Sequence, residues 1–327
     1  MQQDITAMNA LKLVRQWGGS NSEAVLDAQC LSFTHPGIEG FISYKLIGKA
    51  AIVFGDPIAS PGDKQKIASY FHSYCDQKGY SIIYIATSKT FSDEMIRQHL
   101  VKASVEFGPE FYFDPHQNPK ELTGNYASLV RRKIRHAEKE NTKIHEYIPL
   151  NEQIEGQLRK VGERWLQSRE GPQMHISQVN LFANRFGKRW FYAKKDKEIV
   201  GVVTINRLEE YQGYLLNHLM VVPEASNGTS ELLFTHVLET LKEENCSYVT
   251  VGAVPAEHLK AIHGFNPLMS LLAQFGFKAI KKIFKLGGRS KFWEKFHPQS
   301  HPCYVLFSAY TLAPRTILSL IKALSSR

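Results

Sequence analysis

The stretch "RWFYAKKDKEIVGVVTINRLEEYQGYLLNHLMVVPEASNGTSELLF", residues 189–234, decides the fold. It holds three apolar-rich runs, "RWFYAKK", "EIVGVVTINRL" and "GYLLNHLMVVP", separated by the short polar turns "DK" and "EEYQ". Runs rich in β-branched and aromatic residues, broken by such turns, predict a three-stranded meander. A loop, "VVPEASNGTSELL", leads into a predicted helix, "SELLFTHVLETLKEEN", with Leu232, Leu233, His236, Val237 and Leu241 near one face. "YVTVGAV" then reads as a further strand.

Upstream, a basic helix from about Tyr126 to Asn141 precedes a strand, "KIHEYIPL", and two predicted helices, "EQIEGQLRKVGERWLQSRE" and "SQVNLFANRFG". The first third has the same grammar. A helix is predicted in "SEAVLDAQCLSF", then a hairpin in "FISYKLIGKAAIVFGDPIAS". The helix "KQKIASYFHSYCDQKG" ends on a capping Gly79. A strand "SIIYIAT", a helix "SDEMIRQHLVKASVEFG", a strand "EFYFD" and the linker "PHQNPKELTGN" follow. Meander, helix, strand, helix and final strand thus occur once in each half. This order resembles the acetyltransferase-like (GNAT) fold. The expected class is α/β (α+β): two tandem GNAT-like subdomains, each a mixed, mostly antiparallel sheet flanked by helices. Their expected bounds are 1–118 and 119–327, the second carrying the basic linking helix and a C-terminal amphipathic helix. In that fold strands four and five splay apart. An acyl donor binds in the gap, beside a helix start whose loop offers backbone N–H groups.

The bulk composition fits. A chain of 327 residues, 43% hydrophobic and 22% charged, suggests two soluble globular domains. No stretch nears the roughly 18 apolar residues of a membrane span, and the N-terminus lacks a signal-peptide pattern. Four scattered cysteines without CxxC spacing predict reduced thiols and a cytoplasmic protein. The net charge of +9 sits in two windows: Arg131–Lys143 carries +4 and Lys278–Lys295 carries +6, leaving −1 elsewhere. Such concentration favours polyanions, nucleic acid or anionic lipid, although charge runs also serve simply as solvated helix faces.

Five segments carry a resemblance. "SYKLIGKAAIVFGDPIASPGD", "FGPEFYFDP", "LVRRKIRHAEKEN", "LMVVPEASNGTSELLF" and "SKFWEKFHP…YVLF" occur in this order over roughly residues 25–310. Together they resemble the catalytic domain of phosphatidylglycerol lysyltransferases (aminoacyl-phosphatidylglycerol synthases), which is related to the Fem-type aminoacyltransferases. The resemblance implies transfer of an aminoacyl group from aminoacyl-tRNA to a hydroxyl of an anionic membrane lipid such as phosphatidylglycerol. It implies a cytoplasmic protein, peripheral at the inner face of the cell membrane. The aminoacyl ester is already activated, so no cofactor and no metal is called for. Oligomeric state is open. Three departures stand out: no N-terminal membrane flippase region, His218 and Val221 where an acid and an arginine are expected, and Cys303 where an arginine beside the tyrosine is expected. Alternative functions are an acyl-CoA-dependent N- or O-acyltransferase and a non-catalytic GNAT pair that binds anionic membrane or RNA.

Each candidate residue has a structural alternative. Glu170 and Arg169 end a helix; the acid suits a cationic aminoacyl amine or general-base work, and otherwise is an exposed helix end. His218, mid-strand beside the gap, suits a general base or a satisfied core histidine. Asn227, Gly228 and Ser230 offer donors to an oxyanion, or simply cap a helix. Glu231 is a candidate substrate-binding residue, or simply complements the helix dipole. Lys291 and Lys295 suit a tRNA or lipid phosphate, and Arg131, Arg132 and Arg135 a polyanion. Asp56, between Gly and Pro, reads as turn chemistry. "HPQSHPC" reads as a loop, and its spacing matches no strong zinc pattern. "PRTILSLIKALSSR" has an apolar stripe of Ile317, Leu320, Ile321 and Leu324, with Arg315, Lys322 and Arg327 adding charge. It suits a membrane interface or docking onto its own domain.

Overall fold

A computed structural model describes residues 5–148 and 150–325. The first half runs α1 (Ala7–Trp17), β1 (Leu31–Phe33), β2 (Gly40–Ile47), β3 (Ala50–Phe54), β4 (Ile58–Ala59), α2 (Lys64–Lys78), β5 (Ser81–Thr87), α3 (Lys89–Arg97) and β6 (Ala103–Phe113). The middle runs α4 (Asn125–Lys139), β7 (Thr142–Tyr147), α5 (Glu152–Gln167), β8 (Lys188–Lys195), β9 (Glu198–Leu208), β10 (Gly213–Val221), α6 (Thr229–Glu243) and β11 (Val249–Ala253). The chain closes with β12 (Ile262–His263), α7 (Pro267–Ile283), α8 (Arg289–Glu294), β13 (Gln299–Phe307) and α9 (Pro314–Leu324).

The strands form one mixed sheet in the order β1-β2-β3-β5-β13-β6-β11-β10-β9-β8-β7, flanked by helices. This is the α/β class expected from the alternation of strand and helix patterns. β3–β5 and β10–β11 pair parallel, and the remaining neighbours antiparallel. The late strand β13 lies between β5 and β6, so the C-terminal segment returns to the first half. The core shows the same return. Phe307, Leu312, Leu320 and Leu324 pack with Val14, Phe54 and Ile85. A separate cluster around Trp190, Phe191, Phe234 and Leu238 fills the second half, and Phe71, Tyr84 and Met95 centre another beneath α2 and α3.

The two parallel pairs differ in a way that positions the site. β3 and β5 stay in register from Ala50–Ser81 to Phe54–Ile85. β10 and β11 pair only at Tyr214–Val249 and Leu215–Thr250. Beyond Leu215 they part, and β10 carries a bulge between Leu216 and His218 against β9. A bulge re-aims side chains and bends the strand locally. The gap therefore opens in the second half.

Several sequence expectations are corrected. The segment predicted as a helix from Ser22 to Phe33 is a 3-10 turn at Ser22–Leu26 followed by β1. "SQVNLFANRFG" is irregular: Asn180 Oδ1 accepts from the Ala183 N–H, Asn184 sits at φ 53, and the Leu181 carbonyl accepts from Trp190. Local asparagine bonding has displaced the helix. The helix predicted over residues 92–108 ends at Arg97, and β6 already starts at Ala103. "HPQSHPC" is largely strand. Pro302 is tolerated there because β13 pairs with β5 only from Tyr304 onward, leaving its missing donor on an open edge. The C-terminal stripe docks on the first half through Leu320, Ala323 and Leu324. Arg327, counted in its charge, and Pro149 of the predicted strand "KIHEYIPL" lie outside the described residues.

Candidate active site

The parting of β10 from β11 opens a cleft of about 810 Å³. One wall is β10 from Leu216 to Leu219; another is the end of α5 and the following loop, Trp165 to Met174. The start of α6 gives Ser230, and the segment from Phe284 to Trp293 closes the far side. The adjacent Arg169 and Glu170 meet His218 and Ser230, distant in sequence, around this one space. The walls are mixed: Trp165, Phe292 and Trp293 are apolar surface, whereas Arg169, His218 and Ser230 are polar. Such amphipathic lining suits a substrate with an apolar body and a polar reacting end.

His218 is buried in the wall, with the Asn217 side-chain nitrogen 3.1 Å from its Nε2. Asn217 is the bulge residue, so the bulge sets the ring's orientation. Glu170 stands at the rim, its side chain 84% exposed and 3.4 Å from Lys285 Nζ. The Arg169 guanidinium lies 4.4 Å from the Trp165 ring centre, a cation–π contact that holds it at the mouth.

The loop before α6 is pinned to α4. Gly228 has φ 100, and a Cβ there would come within 2.0 Å of the Lys133 carbonyl oxygen, so only glycine fits. The Asn227 carbonyl is 3.1 Å from His136 Nδ1, while the Asn227 side chain is exposed. Gly228 caps α6 without a side-chain bond, so the first helical amides lie beside Ser230 at the cleft. Behind them Glu231 is buried between Lys295 Nζ at 2.5 Å and Lys133 Nζ at 2.9 Å. Burial raises the Glu231 carboxyl, but the bonds and charges of Lys295 and Lys133 outweigh it and hold the group below its ordinary range. Burial pulls the Lys295 ammonium down, with Glu231 opposing. Two cations on one carboxylate leave this corner net positive.

The remaining basic candidates divide. Lys295 lies within the ion pair and over the Phe292 ring at 3.9 Å, and Lys291 on α8 is exposed. Arg131 donates from Nη1 to the carbonyls of Lys120 at 2.9 Å and Leu122 at 2.7 Å, tying the linker to α4. Arg132 and Arg135 are exposed on the same helix. Sequence reasoning did not single out Asn217, Lys133 or the aromatic walls. A bulge and a buried cross-helix ion pair leave no local pattern, although the aromatics of "SKFWEKF" were a visible signal.

Two other polar groupings lie apart from the cleft. A cavity of about 30 Å³ holds Asp56 and Glu110, room for about one water. Asp56 accepts from Ser88 N–H at 2.9 Å and Ser88 Oγ at 2.7 Å, and Glu110 accepts from Ser20, Tyr248 and Thr250. Burial pushes both carboxyls up. Cys30 Sγ lies 3.6 Å from His175 Nε2, whose Nδ1 is 3.5 Å from Asp27. Burial raises that thiol to about 11 and lowers His175 to about 4, so both are neutral at pH 7 and the pair is no activated nucleophile. Cys303 is buried in β13, its thiol pushed well above its ordinary range by burial.

The fold that holds this cleft is similar to that of the solved L-PGS from Bacillus licheniformis. That structure matches with a TM-score of 0.81 at 17% identity, over 100% of this chain and 99% of that one. FemX matches with a TM-score of 0.54 at 9% identity, over 98% of this chain and 100% of that one. The family described as "Phosphatidylglycerol lysyltransferase, C-terminal" matches residues 16–307, and the chain belongs to it. A phosphatidylglycerol lysyltransferase of Staphylococcus epidermidis is 20% identical over 98% of this chain, which spans 38% of that relative's length. Among the described residues no helix is long and apolar enough to cross a membrane.

Proposed function

We propose that this chain transfers an aminoacyl group from aminoacyl-tRNA to a hydroxyl of a membrane lipid such as phosphatidylglycerol. The observation that carries this is the cleft at the β10–β11 parting in a chain of this family, lined by both aromatic and ionisable side chains. The acceptor hydroxyl oxygen attacks the ester carbonyl carbon while His218 takes its proton on Nε2, in place of the hydrogen bond from the Asn217 amide. The oxyanion that forms faces Ser230 and the α6 N-terminus, where the helix dipole and the net positive Glu231–Lys295–Lys133 corner favour negative charge. The bond to the tRNA ribose oxygen breaks, and the proton on His218 passes to that oxygen. Glu170 at the rim binds the cationic amine of the aminoacyl group, and Arg169 and Lys291 hold phosphate. The exposed arginines of α4, Arg132 and Arg135, meet the tRNA backbone, where contacts add affinity without reading sequence. The protein works peripherally at the cytoplasmic membrane face.

The test incubates purified protein with phosphatidylglycerol vesicles and tRNA charged with labelled amino acids, then extracts and identifies the lipids by mass. Aminoacylated lipid that disappears after ribonuclease treatment is the expected result. Label entering lipid or amine acceptors only from acyl-CoA would replace this reading with an acyl-CoA transferase.

A further inference from the structure

α7 is unusual among the helices of this protein. It is strongly apolar, "PLMSLLAQFGFKAIKKI", and contains no acidic residue, yet of its 17 residues only Ala273 and Gly276 are buried. Its inward face is held by close packing: a Cβ on Gly276 would meet Ile317 of α9 at 3.1 Å. Its outward stripe is Leu268, Leu271 and Phe275, exposed by 62%, 48% and 59%. Helical spacing continues that stripe into Lys278 and Lys282, both exposed. Large apolar side chains clustered on one exposed face mark an interaction surface. Here the charge beside them has one sign. The neighbouring α9 repeats the pattern, with exposed Arg315, Leu318 and Lys322 at helical spacing. The chain leaves α7 directly into Phe284–Gly288, a wall of the cleft.

We propose that the outward face of α7 is the membrane-docking surface, seating the protein on an anionic lipid bilayer with the cleft mouth at the headgroups. Leu268, Leu271 and Phe275 enter the acyl boundary, while Lys278 and Lys282 lie at the phosphates. The lysines supply the preference for anionic lipid, and the apolar trio supplies retention. The role of this surface in delivering an acceptor rests on the lipid-transfer reading above; the docking itself does not. Residues of the stripe lie outside the cleft, so docking and chemistry can be separated.

The experiment is co-sedimentation of the full chain with vesicles of phosphatidylcholine alone or with one quarter phosphatidylglycerol. Binding is expected only to the anionic vesicles. The double variant L271S/F275S and the double variant K278E/K282E are each expected to weaken it at least tenfold, with unchanged circular dichroism. Transfer to vesicular lipid should fall with binding, whereas transfer to monomeric dihexanoyl-phosphatidylglycerol should stay within twofold. As a check independent of weakened variants, Phe275→Trp should be quenched by brominated acyl chains in anionic vesicles. Vesicle binding unaltered in both double variants, or no wild-type binding, overturns the proposal. So does concentration-dependent dimerisation without vesicles that L271S/F275S abolishes, because the face would then belong to a second copy. Absence of transfer to either acceptor would instead defeat the proposed activity, and the sedimentation result would still decide the docking.

Discussion

Glu231 sits 3% exposed with two ammonium groups on it, at the point where α6 begins behind the cleft. Breaking a buried pair strands a charge, which costs about 3–5 kcal/mol. Lys295→Met leaves Lys133 on the carboxylate, so it should lower the stability in urea denaturation by less than that, and Lys295→Met with Glu231→Gln should recover part of the loss. Equal losses in the single and double variants would show that the pair is not coupled. A second residue sets acid sensitivity. His72 is buried against Tyr84, and burial lowers its pKa from 6.5 to about 4. As pH falls below 6.5 the unfolded chain binds a proton that the folded chain refuses, so stability is lost until pH nears 4. The difference amounts to roughly 3 kcal/mol. His72→Leu should flatten the fall in Tm between pH 7 and pH 5, and His175 and His236, also lowered by burial, should contribute to the acid sensitivity that remains. An unchanged pH profile in His72→Leu would contradict the assignment.

Among the elements, α4 divides its arginines by neighbour. Arg131 is spent on the linker carbonyls, whereas Arg132 and Arg135 face solvent. Arg131→Ala should lower Tm with little change in the salt dependence of tRNA binding. Arg132→Glu with Arg135→Glu should leave Tm within experimental error and reduce the slope of log K against log salt by roughly 1.5, as two lost phosphate contacts require. An unchanged salt slope in both variants would move the polyanion site off this helix. Elements with a clean period, such as α2, α5, α6 and the β8–β10 meander, were legible in sequence because one face is apolar and the ends carry turn residues. α7 was legible only as charge, since its apolar residues cover most of its circumference and leave no clear single face. Residues 177–187 carry helical spacing, but their asparagines bond locally instead. β13 was hidden by Pro302, whose acceptability depends on the strand beside it.

At the scale of the molecule, the sheet is continuous, with a late strand, β13, between β5 and β6. That return was not readable locally, because strand order is set by packing between distant segments. The site was readable in part. His218 was reachable from its place beside a predicted splayed pair, Ser230 from a predicted helix start, and Arg169 and Glu170 from a predicted helix end, and the structure brings them to one cleft. Only the pairing itself shows which half parts: five matched residue pairs hold β3 on β5, whereas two hold β10 on β11. The β10 bulge and the Glu231–Lys295–Lys133 corner belong to the same level, being contacts between elements.

The central claim is that transfer takes place in the cleft at the β10–β11 parting. The most direct measurement is the single-turnover rate of aminoacyl transfer from charged tRNA to phosphatidylglycerol vesicles. It would compare His218→Gln and Ser230→Ala with the unaltered protein, with vesicle and tRNA binding measured alongside. A general base and an oxyanion donor each contribute on the order of a hundredfold or more. The account predicts a fall of at least that size for His218→Gln, a smaller but clear fall for Ser230→Ala, and unchanged binding in both. Transfer at the original rate in both variants, with binding intact, would place the chemistry elsewhere.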